Sequence, residues 1–383
     1  RAVDVGRDAA AAVQAARASQ GQIATLILPS DTSWDEGGVV ADALVVPASP
    51  TLDPFAVQNT ARVLRTQKNV LILLAGRAAL AASQALAWRI AQATGATLMA
   101  DFVTGHVQRG RGRLQLERVP YNTDMAVQTL ARFEHIILVN AKPPVGFFAY
   151  PGKPSKQYSE RAQLHVLTRD DQDGEAALQA LVDELGAPSA AIPDPGARPD
   201  VVTGAPTPEG LAQTLAAVMP DNAIVSDESV SYGRGFYKNT YAAPAHDWLH
   251  LVGGAIGAGL PLATGAAIGA GGERRVINLQ ADGSAMYSLQ ALWTQARERL
   301  PVTTILLNNR KYSILIGEYH AVGATPGPTA MSMLDLGNPN LEWVKLANGM
   351  GVEAARATTL EGCADLMRQS FRQSGPCLIE LLI

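Results

Sequence analysis

The chain has 383 residues, of which 47% are hydrophobic and 17% charged, and its formal net charge is −4. A chain of this length and composition can bury a sizeable core, which excludes large-scale disorder and predicts two to three domains. The small negative charge argues against general binding to nucleic acid. Two cysteines are too few for a disulfide framework or a four-cysteine zinc site, so we expect a reducing compartment, the cytoplasm.

No apolar run of the length that spans a bilayer is free of breakers, so no membrane span is expected. The segment Val252–Ala270 comes closest, but it contains several glycines and a proline. No signal peptide opens the chain. Residue 1 is arginine and stands at the start of a helix pattern, so we interpret the chain as the remainder of a longer protein.

Helix and strand patterns alternate along the chain, which predicts an α/β fold of successive doubly wound parallel sheets. Asp4–Ser19 has the pattern of a helix, and the apolar run Ile23–Leu28 predicts a buried strand. One helix and one strand cannot form a core. Residues 1–50 are therefore interpreted as the end of an incomplete first domain.

A second unit is predicted for residues 51–186. Its predicted strands are Val70–Leu74, Thr97–Ala100, His135–Val139 and Leu164–Thr168, and its predicted helices are Pro54–Thr66, Leu80–Thr94, Asp124–Arg132 and Glu175–Leu185. Gly76 follows the first strand, but the glycine pattern of a dinucleotide site is absent, so such a site is a weak hypothesis.

Residues 187–207 contain five prolines and little periodicity, which predicts a linker. A third unit follows over residues 208–383. Its predicted strands are Ala223–Ser226, Val276–Gln280, Thr303–Leu307 and Cys377–Leu382, and its predicted helices are Ser288–Arg299, Leu341–Asn348 and Leu360–Gln373.

The most informative segment lies between Gln280 and Tyr312. One strand runs into Ala281-Asp282-Gly283-Ser284, and the next strand ends in Asn308-Asn309. The carboxyl ends of parallel strands meet at one edge of a sheet, where α/β proteins bind ligands. The Asp282 carboxylate, the Asn309 amide oxygen and the Lys311 carbonyl are hard oxygen ligands that suit Mg²⁺. Gly283 permits close approach of a ligand, and Ser284 opens a helix start of the kind that binds phosphate.

Taken alone, Asp-Gly is more often an ordinary turn, and the glycine-rich stretch Gly253–Pro261 is as readily a packing helix as a binding loop. The two strand ends in combination favour a site. The glycines of that stretch let backbone lie against a flat ligand, with Ile256 as the bulky side chain in the middle.

These motifs resemble those of the thiamine-diphosphate-dependent enzymes of the acetolactate synthase, benzoylformate decarboxylase and pyruvate decarboxylase group. That family carries G-D-G, about two dozen residues, and N-N. This chain has Ala281-Asp282-Gly283, then residues 284–307, then Asn308-Asn309. The resemblance extends over the whole chain. It implies the end of a pyrimidine-binding domain over 1–50, a central domain over 51–186 and a diphosphate-binding domain over 208–383.

The resemblance also implies the roles of individual residues. Asp282, Asn309 and the Lys311 carbonyl would bind Mg²⁺. The diphosphate would be lined by Ser231, Gly283, Ser284 and Tyr312. Ile256 would hold thiamine diphosphate in a bent shape, and the Gly254 carbonyl would accept from its aminopyrimidine. The family's catalytic glutamate is expected before Arg1, so the chain by itself would bind the cofactor without turnover.

The implied activity is decarboxylation of a 2-oxo acid followed by carboligation, as in acetolactate synthases of branched-chain amino acid biosynthesis, in a homodimer or tetramer. A benzoylformate-type decarboxylase and a non-catalytic cofactor-binding subunit are the alternatives. Ala281 in place of the first glycine supports the latter. FAD is doubtful, because no segment matches the flavin motif of true acetolactate synthases. A nucleotide-binding role of the central domain is a weaker hypothesis.

Several residues outside the motif are further candidates for a functional role. His106 is a candidate substrate-side proton relay, although a structural role is favoured on spacing alone. His246 and His250 could form a metal pair on a helix, but no third ligand is evident, and a cap or core role is favoured. Arg109, Arg111 and Arg113 are interpreted as a solvated basic loop. The segment Phe147–Lys153 could wall a cavity, although core packing is favoured.

Overall fold

The structure, a computed structural model, describes residues 1–383. The first 53 residues contain two helices, α1 (Val5–Arg17) and α2 (Ser30–Trp34), and otherwise irregular backbone. The strand predicted at Ile23–Leu28 is wrong. Ile23 and Ile27 are 96% and 83% exposed, and no strand of this chain pairs with the segment. A β-strand needs a neighbour for its backbone N–H and C=O groups, so apolar composition alone does not produce one.

The next part of the chain alternates helices with short strands. In order, these elements are α3 (Pro54–Thr66), β1 (Val70–Leu74), α4 (Ala81–Thr94), β2 (Thr97–Ala100), β3 (His106–Arg109), α5 (Thr123–Leu130), β4 (His135–Val139), β5 (Gln163–Thr168) and α6 (Gly174–Leu185). Four of the strands form a parallel sheet in the order β2-β1-β4-β5. All residues of β1 and β4 are buried, as expected for central strands covered on both faces.

The C-terminal part begins after irregular backbone at residues 187–207. Its elements are α7 (Pro208–Val218), β6 (Ile224–Glu228), α8 (Phe236–Asn239), β7 (His246–His250), α9 (Gly259–Gly269), β8 (Val276–Ala281), α10 (Asp282–Ala285), α11 (Ala291–Arg297), β9 (Val302–Asn308), α12 (Ser313–Ala321), α13 (Pro328–Met333), α14 (Trp343–Gly349), β10 (Glu353–Ala357), α15 (Leu360–Arg372) and β11 (Cys377–Leu382).

These strands build a seven-stranded sheet in the order β10-β11-β9-β8-β6-β7-β3. Every neighbouring pair is parallel except β3 with β7. The predicted α/β class with parallel sheets is confirmed. The sequence patterns did not predict that β3, which precedes β4 in the chain, joins the second sheet and ties the two sheets together.

The order of the second sheet positions the site. Strands β6, β8 and β9 are neighbours, and their carboxyl ends reach one edge of the sheet. The register pairs Glu228 with Gln280 and Ala281 with Leu307, so the residues that follow these strands lie side by side. No helix has both the length and the apolar character needed to cross a bilayer.

Candidate functional site

Asp282 stands at the end of β8 with its carboxylate turned toward the end of β9. Oδ1 accepts a hydrogen bond from its neighbour Gly283 N at 2.8 Å, and Oδ2 accepts from Arg310 N at 2.7 Å. The residue is 1% exposed and forms no ion pair with any lysine or arginine. Burial raises the pKa of Asp282 to about 6, although the backbone N–H groups partly offset that shift. A buried carboxylate with neutral partners is therefore the central charge of this edge.

The Asn308-Asn309 turn holds the other side of Asp282. Arg310 has a φ of +58°, which reverses the chain directly after β9. Asn309 Oδ1 accepts from Lys311 N at 2.9 Å, and its Nδ2 donates to Ser313 Oγ at 2.9 Å. Asn308 Nδ2 donates to Glu380 Oε1 at 2.7 Å, while its Oδ1 accepts from Arg310 N at 3.2 Å. The Arg310 N–H bond to Asp282 therefore brings the two predicted strand ends together.

Gly283 and Tyr312 are in direct contact. A Cβ placed on Gly283 would lie 2.6 Å from Tyr312 Cδ1, so only glycine permits this approach. Ser284 lies within the short helix α10, where its hydroxyl donates to the Ala281 carbonyl at 3.1 Å and accepts from Gln280 Nε2 at 2.7 Å. The four-residue α10 replaces the longer helix start that was expected here. Its neighbour α11 begins only at Ala291.

The glycine-rich stretch is a loop between β7 and α9 rather than a packing helix. Gly253, Gly254 and Gly257 have positive φ angles, and α9 begins only at Gly259. Ile256 is 39% exposed between these turns. The Gly254 carbonyl accepts from Ile256 N at 2.9 Å, which leaves its second lone pair for another donor.

The central part of the chain reaches this loop through Phe147. A Cβ on Gly254 would lie 3.1 Å from the Phe147 ring, which packs with Phe102, Tyr121 and Phe148. Phe147 therefore faces the glycine loop from an aromatic cluster that also includes the neighbouring residue Phe148. Core packing, the role favoured for the segment Phe147–Lys153, is wrong, because none of its residues is buried and Phe148 is 51% exposed. The cavity-wall interpretation remains a hypothesis.

Ser231 lies on the turn that follows β6, three residues after Glu228. Asp227 Oδ1 accepts from both the N–H and the hydroxyl of Ser229, and Val230 has a φ of +48°. Ser231 then precedes a single 3₁₀ turn at Tyr232–Gly235. The structure thus places Ser231 at the same sheet edge as Asp282, because the two residues follow the paired strand residues Glu228 and Gln280.

Glu228 belongs to this edge and begins the segment Glu228–Ser231, which resembles a diphosphate-contacting turn of the family and in which Ser231 is the predicted contact. Its carboxylate is 1% exposed and accepts from backbone N–H groups of the glycine loop and from Gln280. Burial raises the pKa of Glu228, an effect that these hydrogen bonds partly offset. Its loop partners lie about thirty positions later in the chain, so no local pattern identifies them.

The imidazole of His106 has no contact with the residues at this sheet edge. His106 lies on β3 rather than in a loop, and its Nε2 is 3.4 Å from Asp247 Oδ1, near the start of β7. Burial alone would raise the pKa of Asp247, but hydrogen bonds from His106 and Arg274 outweigh it and hold this pKa well below its usual range. The proton-relay role of His106 remains a hypothesis without a contact to Asp282 or Ile256.

His246 and His250 lie on a strand and not on a helix. His246 and His250 are the ends of β7, which places them about 13 Å apart along an extended chain. Both are buried, and burial lowers the pKa of each, that of His246 to about 3. A shared metal is incompatible with that spacing, so the favoured core role is confirmed.

The interpretation of Arg109 as part of a solvated loop is wrong. Arg109 is 1% exposed, and its guanidinium carbon lies 3.7 Å from the centroid of the Tyr237 ring and 5.0 Å from that of Trp248. Arg113 is half-buried beside Asp247, and only Arg111 is exposed. Aromatic faces that lie more than 120 positions away in sequence compensate the buried cation, which no local pattern predicts.

The residues at this edge fit a cation that carries a phosphorylated ligand. Asp282 supplies one buried carboxylate without a cationic partner, and Asn309 and Lys311 of the adjoining turn each carry a neutral oxygen that could serve as a ligand. No group of three histidine, cysteine, aspartate or glutamate side chains is arranged to hold a metal ion. The remaining ligands of an octahedral cation would therefore come from phosphate oxygens and water, as is usual for Mg²⁺. A Cβ at Gly283 or Gly257 would collide with Tyr312 or Tyr287, so the backbone at this edge packs as it does only with glycine at these positions.

Comparison with known proteins identifies the family of this chain. Residues 234–381 match the family described as "Thiamine pyrophosphate enzyme, C-terminal TPP binding domain". The chain is 44% identical over 385 residues to the "Putative acetolactate synthase large subunit IlvX" of Mycobacterium tuberculosis, covering 100% of this chain and 74% of that protein. It is 32% identical over 207 residues to the benzoylformate decarboxylase of Pseudomonas aeruginosa, covering 53% of this chain and 38% of that enzyme.

Solved structures share the fold. The thiamine diphosphate-dependent 4-hydroxybenzoylformate decarboxylase of Rhodococcus jostii RHA1 superposes with a TM-score of 0.75 at 25% identity, over 99% of this chain and 74% of that one. The benzoylformate decarboxylase of Polynucleobacter necessarius gives the same TM-score at 19% identity, over 100% of this chain and 74% of that one, which supports the fold alone. With a relative that is 44% identical over 100% of this chain and 74% of that protein, this chain belongs to the thiamine pyrophosphate enzyme family.

Proposed function

We propose that this protein binds thiamine diphosphate through Mg²⁺ and acts on a small 2-oxo acid, in an acetolactate synthase-like reaction of decarboxylation followed by carboligation. The observation that carries the proposal is the buried Asp282 carboxylate. It has no cationic partner and lies against the turn that follows β9, in a chain of the thiamine pyrophosphate enzyme family. Desolvating such a charge costs several kcal/mol, which a bound divalent cation offsets.

In this proposal Asp282, Asn309 and the Lys311 carbonyl hold the cation. Ser231, Gly283, Ser284 and Tyr312 line the diphosphate, while Ile256 and the Gly254 carbonyl orient the ring portion. When bound, thiamine diphosphate supplies the electron sink that decarboxylation of a 2-oxo acid needs. The chain contributes the charge at Asp282, the shape of the glycine loop and the exclusion of water. We further propose a cytoplasmic homodimer or tetramer that serves branched-chain amino acid biosynthesis.

Titration calorimetry with thiamine diphosphate, with and without Mg²⁺, tests the cofactor proposal. We expect metal-dependent binding that Asp282→Ala abolishes and Asp282→Asn weakens strongly, because an amide keeps the shape but removes the charge. Asp365→Ala is the matched control, since Asp365 is an exposed aspartate on α15. Equal affinity of the Asp282 variants and the wild type would remove Asp282 from the metal site.

A benzoylformate-type decarboxylase is the second candidate. The relatives from Pseudomonas aeruginosa and Rhodococcus jostii favour it, since both are named as decarboxylases of this kind. Product analysis with pyruvate and with an aryl 2-oxo acid separates the two reactions, because the first yields acetolactate and the second an aldehyde. Metal-dependent cofactor binding with no product from either substrate would favour a non-catalytic cofactor-binding subunit if the protein assayed also carries a complete pyrimidine-binding domain.

A further inference from the structure

Glu228 is a buried carboxylate whose hydrogen-bond donors all come from the glycine-rich stretch Gly253–Pro261 and from the end of β8. Oε1 accepts from Gly257 N at 2.5 Å, and Oε2 accepts from Gly259 N at 2.5 Å. Gln280 Nε2 donates to the same Oε2 at 3.0 Å. No lysine, arginine or histidine forms an ion pair with Glu228. Both oxygens of one carboxylate are thus occupied by the loop and by the end of β8.

The glycine loop is held in this position from a second side. Ser288 Oγ donates to the Gly257 carbonyl at 2.6 Å. A Cβ on Gly257 would lie 2.5 Å from Tyr287 Cβ, and a Cβ on Gly259 would lie 2.6 Å from Glu228 Oε2. These contacts fix the backbone at Gly257 and Gly259, directly after Ile256 in the chain.

The carboxylate of Glu228 is also linked, through Gln280, to Ser284, which is proposed to line the diphosphate. Gln280 Nε2 contacts both Glu228 Oε2 and, at 2.7 Å, Ser284 Oγ. The hydrogen-bond donors to Glu228 are two backbone N–H groups of the glycine stretch and Gln280. An effect of Glu228 on binding would therefore be transmitted through the loop or through Gln280.

We infer that Glu228 is a positioning residue that presets the glycine loop, so that Ile256 and the Gly254 carbonyl meet the ring portion of the cofactor. The inference rests on the proposed function for the identity of that cofactor. Its physical basis is that an ionised carboxylate accepts two backbone N–H bonds at once. A glutamine at this position has one oxygen and an NH₂ group, which would face an N–H donor. One loop contact must then break.

The first test compares two ligands in the presence of Mg²⁺, thiamine diphosphate and inorganic pyrophosphate, by calorimetry. We expect Glu228→Gln to weaken thiamine diphosphate binding at least about tenfold. Pyrophosphate binding should change less than about threefold, because pyrophosphate lacks the rings that the loop contacts. Glu361→Gln is the matched control, since Glu361 is an exposed carboxylate that accepts from Gly204 N at 2.7 Å. Equal losses for both ligands, or no loss for either, would overturn the inference.

The second test needs no cofactor and separates this inference from the proposed function. Amide hydrogen exchange is measured by mass spectrometry on the peptide that spans Gly253–Pro261. Glu228→Gln should accelerate exchange there at least about tenfold, while Glu361→Gln leaves it unchanged. If Glu228→Gln does not fold, Glu228→Asp takes its place, because its shorter side chain keeps the charge but cannot reach both N–H groups. Unchanged exchange would refute the loop role, whereas failure of the wild type to bind thiamine diphosphate would refute the proposed function.

Discussion

Gly283→Ala should damage the candidate site through a single methyl group. The added Cβ would lie 2.6 Å from Tyr312 Cδ1 and 2.7 Å from its Cε1, whereas ordinary van der Waals contact is 3.4–4 Å. The ring must therefore move by nearly an ångström. Tyr312 is tethered, because its backbone N–H donates to the Leu334 carbonyl at 3.0 Å and α12 begins at the next residue.

Overpacking of this size costs about 1–3 kcal/mol. We expect Gly283→Ala to lower the free energy of unfolding by that amount, measured by urea denaturation. Thiamine diphosphate affinity should fall at least about tenfold, measured by calorimetry, because the displaced ring lies where the diphosphate is proposed to bind. The φ angle of Gly283 is not in the left-handed region, so the loss is steric rather than a backbone effect.

Gly317→Ala is the matched control, because Gly317 lies within α12 and a Cβ there meets nothing within 4 Å. We expect it to stabilise the protein by about 0.5–1 kcal/mol, since alanine is the better helix former. The double variant Gly283→Ala with Tyr312→Ala should bring back part of the stability that Gly283→Ala loses. Wild-type unfolding and wild-type cofactor affinity of Gly283→Ala would refute the steric argument.

Two further predictions concern buried charge. Burial, followed by the charge of Arg109, lowers the pKa of His246 to about 3 from 6.5. Between these two pKa values His246 is therefore protonated in the unfolded chain but neutral in the folded chain. As the pH falls from 7 to 5, protonation of His246 in the unfolded chain should lower the free energy of unfolding by about 2 kcal/mol. His246→Asn keeps a donor for the Pro244 carbonyl and should remove that part of the pH dependence in urea denaturation, so identical slopes would contradict the assignment. Arg109→Lys should cost about 2–4 kcal/mol at pH 7, because an ammonium cannot stack on Tyr237 as a guanidinium does. Arg111→Lys, at an exposed position of the same segment, should stay within about 0.5 kcal/mol in the same assay.

Much of the fold could be predicted from the sequence alone. The strands Val70–Leu74, His135–Val139 and Cys377–Leu382 have the predicted bounds, because predominantly apolar runs of this length are typical of buried parallel strands. The helix Pro54–Thr66 is also as predicted, with Asp53 capping its start through the Phe55 N–H. These features depend on neighbours in sequence, which is why composition and periodicity determine them.

Tertiary structure decided the features that depend on distant partners. The apolar run Ile23–Leu28 has strand composition but no strand to pair with, whereas His106–Arg109 has no strand pattern and pairs with β7 across about 140 positions. Arg109 is buried because aromatic rings from α8 and β7 surround it.

The candidate site also has a part that the sequence predicts and a part that it does not. The proximity of the segments around Asp282 and Asn309 can be predicted from the sequence, since the ends of adjacent parallel strands meet at one edge of the sheet. The contacts of Glu228 with Gly257 and Gly259 cannot be predicted from the sequence, because a hydrogen bond between a carboxylate and a backbone N–H group requires no particular residue pattern around either partner. Local order follows from local chemistry, whereas the burial of a polar group is settled only when the whole chain has brought its partners into place.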